Sequence, residues 1–309
     1  MSLRLTILGC HSATPRSMAH PSAQYLEING EHLLIDCAEG TQMQLRKFGV
    51  KFSRIKHVFI SHLHGDHFYG LIGLISTFSL LNRQNELHVY GPAGLKEIIQ
   101  LQLKLSKSWI DYPLHFHELN SDRSELILDS EKIEVRTVPL RHRIYTNGFL
   151  FREKPAPRKL NMEVISKHPE IDICDYQNLK DGKDFVDTNG TFLANSELTV
   201  DAPPPLSYAY CSDTTYSEAV AKMIQNVDLL YHESTFLEQH ADLAETTRHS
   251  TAAQAAKIAS MAGAKKLILG HFSSRYKDVN LFLQEAQHHF ADCELCEAGK
   301  VFEVVNQQA

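Results

Sequence analysis

The stretch that decides the fold reads His57-Val-Phe-Ile-Ser61, followed directly by His62-Leu-His-Gly-Asp-His67. The apolar run predicts a buried strand, and three imidazoles and one carboxylate follow it within six residues. The first two of these histidines are two positions apart, which directs both rings to one side of an extended segment. The glycine permits a turn that brings the last two side chains to a neighbouring point. Since imidazole and carboxylate are common ligands of zinc and similar ions, the stretch predicts two adjacent metal ions; a histidine-rich surface loop is the alternative.

Other predicted strands end in the same way. Apolar segments run into a polar residue able to bind a metal at five places: His62, His142, Asp213, Glu233 and His271. In open α/β sheets, sites form at the carboxyl ends of strands. One rim would then gather five histidines and two aspartates, namely His62, His64, Asp66, His67, His142, Asp213 and His271. This set suits zinc or manganese better than calcium or magnesium. Each residue alone has a simpler explanation, such as Asp213 as a helix N-cap, but the repetition favours metal binding.

Composition places the chain among ordinary soluble globular proteins. The sequence is 43% hydrophobic and 22% charged. Its length of 309 residues is enough for one large domain or two ordinary ones. The formal net charge of −6 argues against a general polyanion binder. No apolar stretch approaches the roughly 18–20 residues that a membrane-spanning helix needs. The first residues are predicted to form a strand and not a signal peptide, so we expect a cytoplasmic protein.

Cysteine and histidine usage adds little outside the predicted site. Six cysteines in this length do not indicate a disulfide scaffold. Cys37 and Cys211 are predicted to be buried thiols, and the single CxxC at Cys293–Cys296 is interpreted as structural. Among eighteen histidines, most carry no motif and are interpreted as structural, for example His20, His88, His115 and His288.

The order of elements predicts an α/β fold with sheets covered by helices on their outer faces. Strands are predicted at Leu5–Leu8, Tyr25–Ile28, Leu33–Asp36, Val58–Ser61, Leu87–Tyr90, Leu114–His117, Ile133–Val138, Gly148–Phe151, Ser207–Ser212, Asp228–Tyr231, Lys266–Gly270 and Lys300–Val305. Helices are predicted at Thr41–Phe48, at Leu71–Leu81, from Gly91 to about Lys107, and near 216–225, 251–262 and 278–290. Residues 152–190 are polar and are predicted to be irregular.

Seven short motifs resemble those of one family. His62, His64, Asp66 and His67 match the HxHxDH signature of the metallo-β-lactamase superfamily. Six others resemble the ribonuclease Z family within it, whose members trim the 3′ end of precursor tRNA: Asp36-Cys-Ala-Glu-Gly-Thr41-Gln42, Pro139-Leu-Arg-His142, Ser212-Asp-Thr214, His232-Glu-Ser-Thr235, His249-Ser-Thr251 and Gly270-His-Phe-Ser-Ser-Arg275. The resemblance covers nearly the whole chain and implies a four-layer αββα sandwich, in one domain spanning residues 1–309.

The resemblance also implies a role for each site residue. One zinc ion would be held by His62, His64 and His142, and a second by Asp66, His67 and His271. Asp213 would bridge both ions. Asp66 would also orient or deprotonate the attacking water, and His249, steered by Glu233, would donate a proton to the leaving oxygen. From the residues alone, His249 could instead cap the following helix, and Glu233 could pair with Arg248 or Arg275.

The family carries an inserted arm that grips tRNA, and the corresponding segment here is residues 152–190. It has the length of the arm but lacks a Gly-Pro pair; its first half is basic and its second half is acidic. Arg152, Lys154, Arg158 and Lys159 would bind phosphates through this arm, and we expect the metals together with Arg141, Arg143, Arg152 and Arg275 to give positive potential near the site. A solvated insertion that contacts nothing is the alternative.

The chemistry expected of such a site is metal-assisted phosphodiester hydrolysis. Two ions about 3.5–4 Å apart can clamp the attacking and leaving oxygens of an in-line displacement. We therefore expect an endoribonuclease that cleaves precursor tRNA and, from the resemblance, a homodimer in which each arm serves the partner's site. Two alternatives use the same fold: a hydrolase of cyclic nucleotides, aryl phosphodiesters or sulfate esters, and a non-catalytic RNA-binding protein.

Overall fold

The computed structural model describes residues 2–14, 19–187 and 189–306. The strands in this part of the chain are β1 Ser2–Gly9, β2 Ala23–Ile28, β3 Glu31–Ile35, β4 His57–Phe59, β5 Leu87–Pro92, β6 Leu114–Leu119, β7 Leu126–Asp129, β8 Ile133–Pro139, β9 Asn147–Glu153, β10 Lys159–Leu160, β11 Phe185–Val186, β12 Phe192–Leu193, β13 Thr199–Val200, β14 Ser207–Cys211, β15 Leu229–Glu233, β16 Lys266–Gly270, β17 Cys293–Leu295 and β18 Val301–Val305. The α-helices are α1 Thr41–Lys47, α2 Gly65–Phe68, α3 Leu71–Leu80, α4 Leu95–Leu105, α5 Met162–Ile165, α6 Tyr176–Lys180, α7 Asn195–Leu198, α8 Glu218–Met223, α9 Ala241–Thr247, α10 Ala252–Ala262 and α11 Asn280–Gln287.

The chain folds as two compact units, and the larger consists of Ser2–Glu153 and Leu206–Val305. It contains two seven-stranded mixed sheets. The first has the order β18-β1-β2-β3-β4-β5-β6 and the second β17-β16-β15-β14-β9-β8-β7. Strands β3 to β6 are parallel, as are β14 to β17, and the other neighbours are antiparallel.

The two sheets pack face to face through aromatic side chains. The ring of Phe59 on β4 lies 5.4 Å from that of Phe149 and 5.3 Å from that of Phe151, both on β9. Helices α1, α3 and α4 cover the outer face of the first sheet, and α10 packs on β15 and β16 with α8 and α11 beside it. The layers are therefore helix, sheet, sheet, helix, which confirms the predicted αββα fold class.

Two of the strands that carry predicted site residues are buried along their whole length. Every residue of β14 and β15 is buried. Parallel strands covered on both faces have continuous apolar sequences and not alternating ones, which is why the short apolar runs predict them correctly. The candidate ligands stand in the segments that follow the carboxyl ends of β4, β8, β14 and β16.

Four strands and α-helices of the larger unit are missing from the predicted elements. They are the strands β7 and β17 and the helices α2 and α9, all of them short, and the two strands lie at sheet edges. Such short elements are stabilised by contacts with neighbouring elements and not by their own sequence. The other predicted strands and helices are present, with ends that differ by a few residues.

The smaller unit contains Lys154–Pro205. Its apolar core consists of Ile165, Ile171, Leu179 and Leu198. The prediction of an irregular segment over residues 152–190 is wrong, because the unit holds β10 to β13 and α5 to α7 and continues to residue 205. Strands of two residues and helices of four or five are too short to show a hydrophobic period in sequence.

Two further features bear on the class of protein. Cys37 and Cys211 are buried free thiols, as predicted, and the thiols of Cys293 and Cys296 are also buried and free in the described part of the chain. Among the same residues, no helix has the length and apolar character required to cross a bilayer.

Candidate metal centre and active site

Segments that follow buried strands bring the seven predicted ligands together. His62 and His64 lie between β4 and α2, and Asp66 and His67 lie within α2. The other three follow β8, β14 and β16, and are His142, Asp213 and His271. A rigid strand end fixes each backbone position, so these side chains lose little conformational freedom when a metal ion binds.

The side chains form two adjacent groups of potential ligand atoms. The first group contains His62, His64, His142 and Asp213, and the second contains Asp66, His67 and His271. Within each group the ligand atoms lie within 4.8 Å of one another. In the first group, Nδ1 of His64 is 3.0 Å from Nε2 of His62 and 3.3 Å from Nε2 of His142.

The Asp213 carboxylate divides its two oxygens between the groups. Oδ2 lies 3.6 Å from His62 Nε2 and 3.7 Å from His142 Nε2. Oδ1 lies 3.2 Å from His67 Nε2 and 3.2 Å from His271 Nε2. This side chain is buried and its two oxygens reach both groups, which is the geometry of a bridging carboxylate.

The donor set fits divalent transition-metal ions. Nε2 of His67 and Nε2 of His271 are buried, and neither has a hydrogen-bond partner among the residues that the structure describes. Unpaired buried nitrogens are costly, and both face the same carboxylate without bonding to it, so a cation between them would satisfy all three. Imidazole with a few carboxylates suits zinc or manganese.

Backbone strain accompanies the site. Asp36, Asp213 and His271 have left-handed φ angles of 54°, 60° and 61°. Such conformations cost of order 1–3 kcal/mol for residues other than glycine, and they persist when the surroundings over-determine them. Each of these residues stands directly after or near the end of a buried strand, where the chain must turn sharply to direct its side chain at the rim.

Asp36 supports the second group from behind, a role that the sequence analysis missed. Its Oδ2 accepts hydrogen bonds from His67 Nδ1 (2.6 Å), Ser61 Oγ (2.9 Å) and Tyr210 OH (2.6 Å), and its Oδ1 accepts one from the Ser61 amide (2.7 Å). A carboxylate on Nδ1 fixes the ring so that Nε2 faces the metal. Asp36 follows β3 directly, so the same strand-end pattern could have identified it.

Replacing Asp36 with asparagine should therefore weaken metal binding without removing a ligand. We expect zinc affinity to fall by about 10- to 100-fold, because His67 loses the group that orients it. Competition with a chromogenic chelator measures this directly. Tyr210→Phe removes one of the four donors and keeps the carboxylate, so it should have a much smaller effect. Unchanged zinc affinity in Asp36→Asn would contradict the orienting role.

Two other groups orient two more of the histidines, His271 and His142. Thr235 Oγ1 lies 2.8 Å from His271 Nδ1, and it donates to Glu233 Oε2 at 2.5 Å. The carbonyl oxygen of Arg248 accepts a hydrogen bond from His142 Nδ1 at 2.8 Å. These contacts leave the Nε2 atom of each ring directed at the centre.

Glu233, which is buried, and His249, which is half-buried, form a pair beside the second group. His249 Nδ1 lies 2.8 Å from Glu233 Oε1, which is the pairing expected from the sequence. Glu233 is fully buried and also accepts hydrogen bonds from the backbone amides of Thr214 and Thr235. The ring of His249 stacks on that of His271 at 5.3 Å, and His249 also falls within ligand distance of Asp213.

Burial and charge set the protonation of these groups in opposite directions. Burial lowers the pKa of His62 and of His142, so both are neutral at pH 7, the form that binds metal. Burial would also lower the pKa of His249, but the Glu233 carboxylate outweighs it and raises that pKa to about 9. His249 is therefore protonated at neutral pH.

The basic residues predicted to bind substrate differ in their exposure and in their hydrogen-bond partners. Arg275 and Lys159 are exposed. Within the smaller unit, Arg158 is engaged, since Nε donates to Thr199 Oγ1 at 2.6 Å and Nη1 pairs with Asp201. In the larger unit, Arg152 donates to the carbonyl oxygen of Gln225 at 3.3 Å.

Comparison with known proteins identifies the family. The sequence model of a family described as Anti-Pycsar protein Apyc1 matches residues 3–154. Ribonuclease Z of Cytophaga hutchinsonii is 49% identical over 306 residues, covering 98% of this chain and 97% of that protein. Ribonuclease Z of Bacteroides fragilis (strain ATCC 25285) is 43% identical over 286 residues, covering 93% of this chain and 94% of that protein. The chain belongs to the ribonuclease Z family.

Solved structures agree with this assignment to ribonuclease Z. The crystal structure of the short form of human tRNase Z matches with a TM-score of 0.70 and 28% identity over 97% of this chain and 98% of that one. The metallo-β-lactamase fold protein YhfI from Bacillus subtilis matches with a TM-score of 0.69 at 18% identity, which shows a shared fold. As a ribonuclease Z, the protein is a hydrolytic endoribonuclease on the metallo-β-lactamase fold.

Proposed function

We propose that the protein removes the 3′ trailer from precursor tRNA by metal-dependent hydrolysis of one phosphodiester bond. The observation that carries the proposal is the Asp213 carboxylate, whose oxygens are shared between two groups of ligands, with the Glu233–His249 pair beside them. A paired-cation centre next to a proton donor is suited to cleaving an ester whose leaving group is a poor one.

The cofactor in this proposal is two zinc ions per chain, with manganese or another divalent ion as the alternative. His62, His64 and His142 would hold one ion, Asp66, His67 and His271 the other, and Asp213 both. When bound, the ions supply Lewis-acid charge that stabilises a phosphoryl group during in-line displacement.

The chain's own residues would position water and move protons. Asp66 Oδ2 accepts a hydrogen bond from the Ala13 amide at 2.8 Å and lies 3.6 Å from His67 Nε2 and from His271 Nε2. A carboxylate held there can orient the attacking water and accept its proton. His249 Nδ1 is committed to Glu233, so Nε2 is the atom that holds the proton for the leaving ribose oxygen.

A comparison of two substrates tests the assignment against the small-molecule alternative. The protein is assayed on a precursor tRNA and on a chromogenic aryl phosphodiester. We expect site-specific release of the tRNA 3′ trailer at a kcat/KM well above that for the aryl ester. Hydrolysis of the aryl ester or of a cyclic nucleotide without any cleavage of precursor tRNA would favour a small-molecule hydrolase. Absence of hydrolysis of all three substrates would favour a non-catalytic RNA-binding protein.

The unit that contains Lys154–Pro205 would serve as the exosite-like arm of a single metallo-β-lactamase-fold domain and bind the tRNA backbone. Lys159 and Lys154 lie in its basic first part. Charge pairing with phosphates should weaken as salt rises, because bound counterions are released on binding.

Deleting this unit should separate RNA recognition from chemistry. Glu153 and Leu206 are paired, with Glu153 N donating to Leu206 O at 2.9 Å, so a short Gly-Ser linker can join them without strain. We expect kcat/KM on precursor tRNA to fall by at least about 10²-fold, since phosphate contacts are lost, while metal content and aryl ester hydrolysis are retained. Normal tRNA processing by the deletion variant would refute the arm's role.

A charge substitution within the intact unit provides the matched control. Lys159→Glu should weaken tRNA binding and reduce its salt dependence. Lys183→Glu changes an exposed lysine in the acidic second part of the same unit and should change neither property.

The assembly proposed here is a homodimer in the cytoplasm. Leu80, Leu105 and Trp109 expose 82%, 73% and 82% of their surface, and such apolar groups commonly mark a contact surface. Mass measurement in solution tests the dimer. Mixing the arm-deletion variant with Asp213→Ala protein should restore some activity if the arm of one copy serves the site of the other.

A further inference from the structure

Three histidines without a sequence motif form a row across the first sheet. His57 on β4, His88 on β5 and His115 on β6 occupy the same register on adjacent parallel strands. Residues at one register of a parallel sheet face the same side, so their rings stack. The ring centroids are 5.2 Å apart for the first two and 4.8 Å for the last two.

This row is separate from the active site. His57 opens β4, whereas His62 follows its end, and five residues of extended chain span roughly 16 Å. The histidines lie at the amino ends of β4, β5 and β6, whereas the candidate ligands His62 and His64 follow the carboxyl end of β4. Nothing in the hydrolytic mechanism uses them.

Glu86 brings a carboxylate to the exposed end of the row. Its Oε2 lies 3.4 Å from His88 Nε2 and 3.8 Å from His115 Nε2. One ligand atom from each of the three residues falls within 4.8 Å of the others. The Glu86 and His115 side chains are 57% and 48% exposed, so an ion could enter and keep water at its remaining positions.

His88 is held in the orientation that a ligand needs. Its Nδ1 lies 3.0 Å from His117 Nε2, and the two rings stack at 5.2 Å. Histidines that bind metals usually donate the other ring nitrogen to a neighbour in this way. His117 thereby leaves Nε2 of His88 directed towards Glu86.

We propose that Glu86, His88 and His115 bind a third divalent cation of the class that prefers imidazole, such as zinc, nickel or copper. Two imidazole nitrogens and a carboxylate oxygen form a donor set for these ions, with solvent completing the coordination. Strand β6 is an edge strand that pairs only with β5 among the described strands. An ion held by His115 of β6, by His88 of β5 and by Glu86 just before β5 would fasten this edge to the sheet.

Zinc stoichiometry tests the proposal on the intact protein. Wild type and variants are equilibrated with buffered free zinc in the micromolar range, and bound zinc is measured by elemental analysis. We expect His115→Ala and Glu86→Gln each to hold one zinc ion per chain fewer than wild type. His289→Ala changes an exposed histidine that is distant in sequence from this row, and its zinc content should equal that of wild type.

Two further readouts keep folding and binding apart. Aryl phosphodiester hydrolysis should be unchanged in His115→Ala, which would show that the centre and the fold are intact. Hydrogen exchange in β6 should slow when zinc is added to wild type but not to His115→Ala. Equal zinc contents in wild type, His115→Ala and Glu86→Gln would overturn the proposal and leave the row as a stack of structural histidines.

Discussion

Asp213→Ala protein is expected to lose both metal ions and, with them, RNA cleavage by more than about 10³-fold. The carboxylate places one oxygen within 3.2 Å of His67 and His271 and the other within 3.7 Å of His62 and His142. Without its negative charge, two cations would face each other with less compensation, so both should be released. Several kcal/mol of transition-state stabilisation would disappear, at 1.36 kcal/mol for each tenfold.

A second buried aspartate provides the control for this experiment. Asp228 accepts hydrogen bonds from the amide and hydroxyl of Ser207 and pairs with Lys265, and neither partner is a predicted metal ligand. Asp228→Asn should lower the free energy of unfolding while two ions stay bound. Elemental analysis that finds two ions in folded Asp213→Ala protein would exclude the bridging assignment.

His249→Ala is expected to lower kcat on precursor tRNA by about 10²- to 10⁴-fold and to leave metal content unchanged. The ribose oxygen needs a proton as it leaves, whereas an activated aryl leaving group does not, so the loss on an aryl phosphodiester should be much smaller. Equal losses on both substrates would remove His249 from the proton-donor role. A loss of one ion would instead make it a ligand, since it lies within reach of Asp213 and His271.

The pH profile gives an independent test of the same residue. A general acid works in its protonated form, so the rate on RNA should fall as pH rises through the pKa of His249, which Glu233 holds near 9. Glu233→Gln removes the charge that raises this pKa, so the alkaline decline should move to lower pH. It should be absent in His249→Ala and unchanged in His240→Ala, whose ring bonds to Tyr276 outside the pair.

Most of the candidate site could be predicted from local sequence, because the candidate ligands stand in short segments that follow strands of the two sheets. Asp213 and His271 could be predicted from a local pattern alone, an apolar run followed by a polar residue. The supporting residues were harder to find. Asp36 is separated from His67 by 31 positions, and nothing local indicates that its carboxylate accepts the Nδ1 proton of that ring.

The smaller unit shows where sequence patterns fail. Its core residues Ile165, Ile171, Leu179 and Leu198 lie in elements too short for a period to appear, so the segment was predicted to be irregular. Short helices and strands are marginal alone and gain their stability from packing on one another. Their formation is a property of the assembled unit and not of any one stretch.

The sequence by itself predicted the candidate ligands after the strands, the fold class and the family, because these predictions depend on residue type and on spacing within short motifs. The tertiary structure alone decided which oxygen of Asp213 faces which group, that Asp36 orients His67, and that His88 and His115 lie side by side. The last two are 27 positions apart, and they meet because β5 and β6 pair in parallel with one particular register. Register is set by the packing of the whole sheet, and a shift of one residue would turn each side chain to the opposite face.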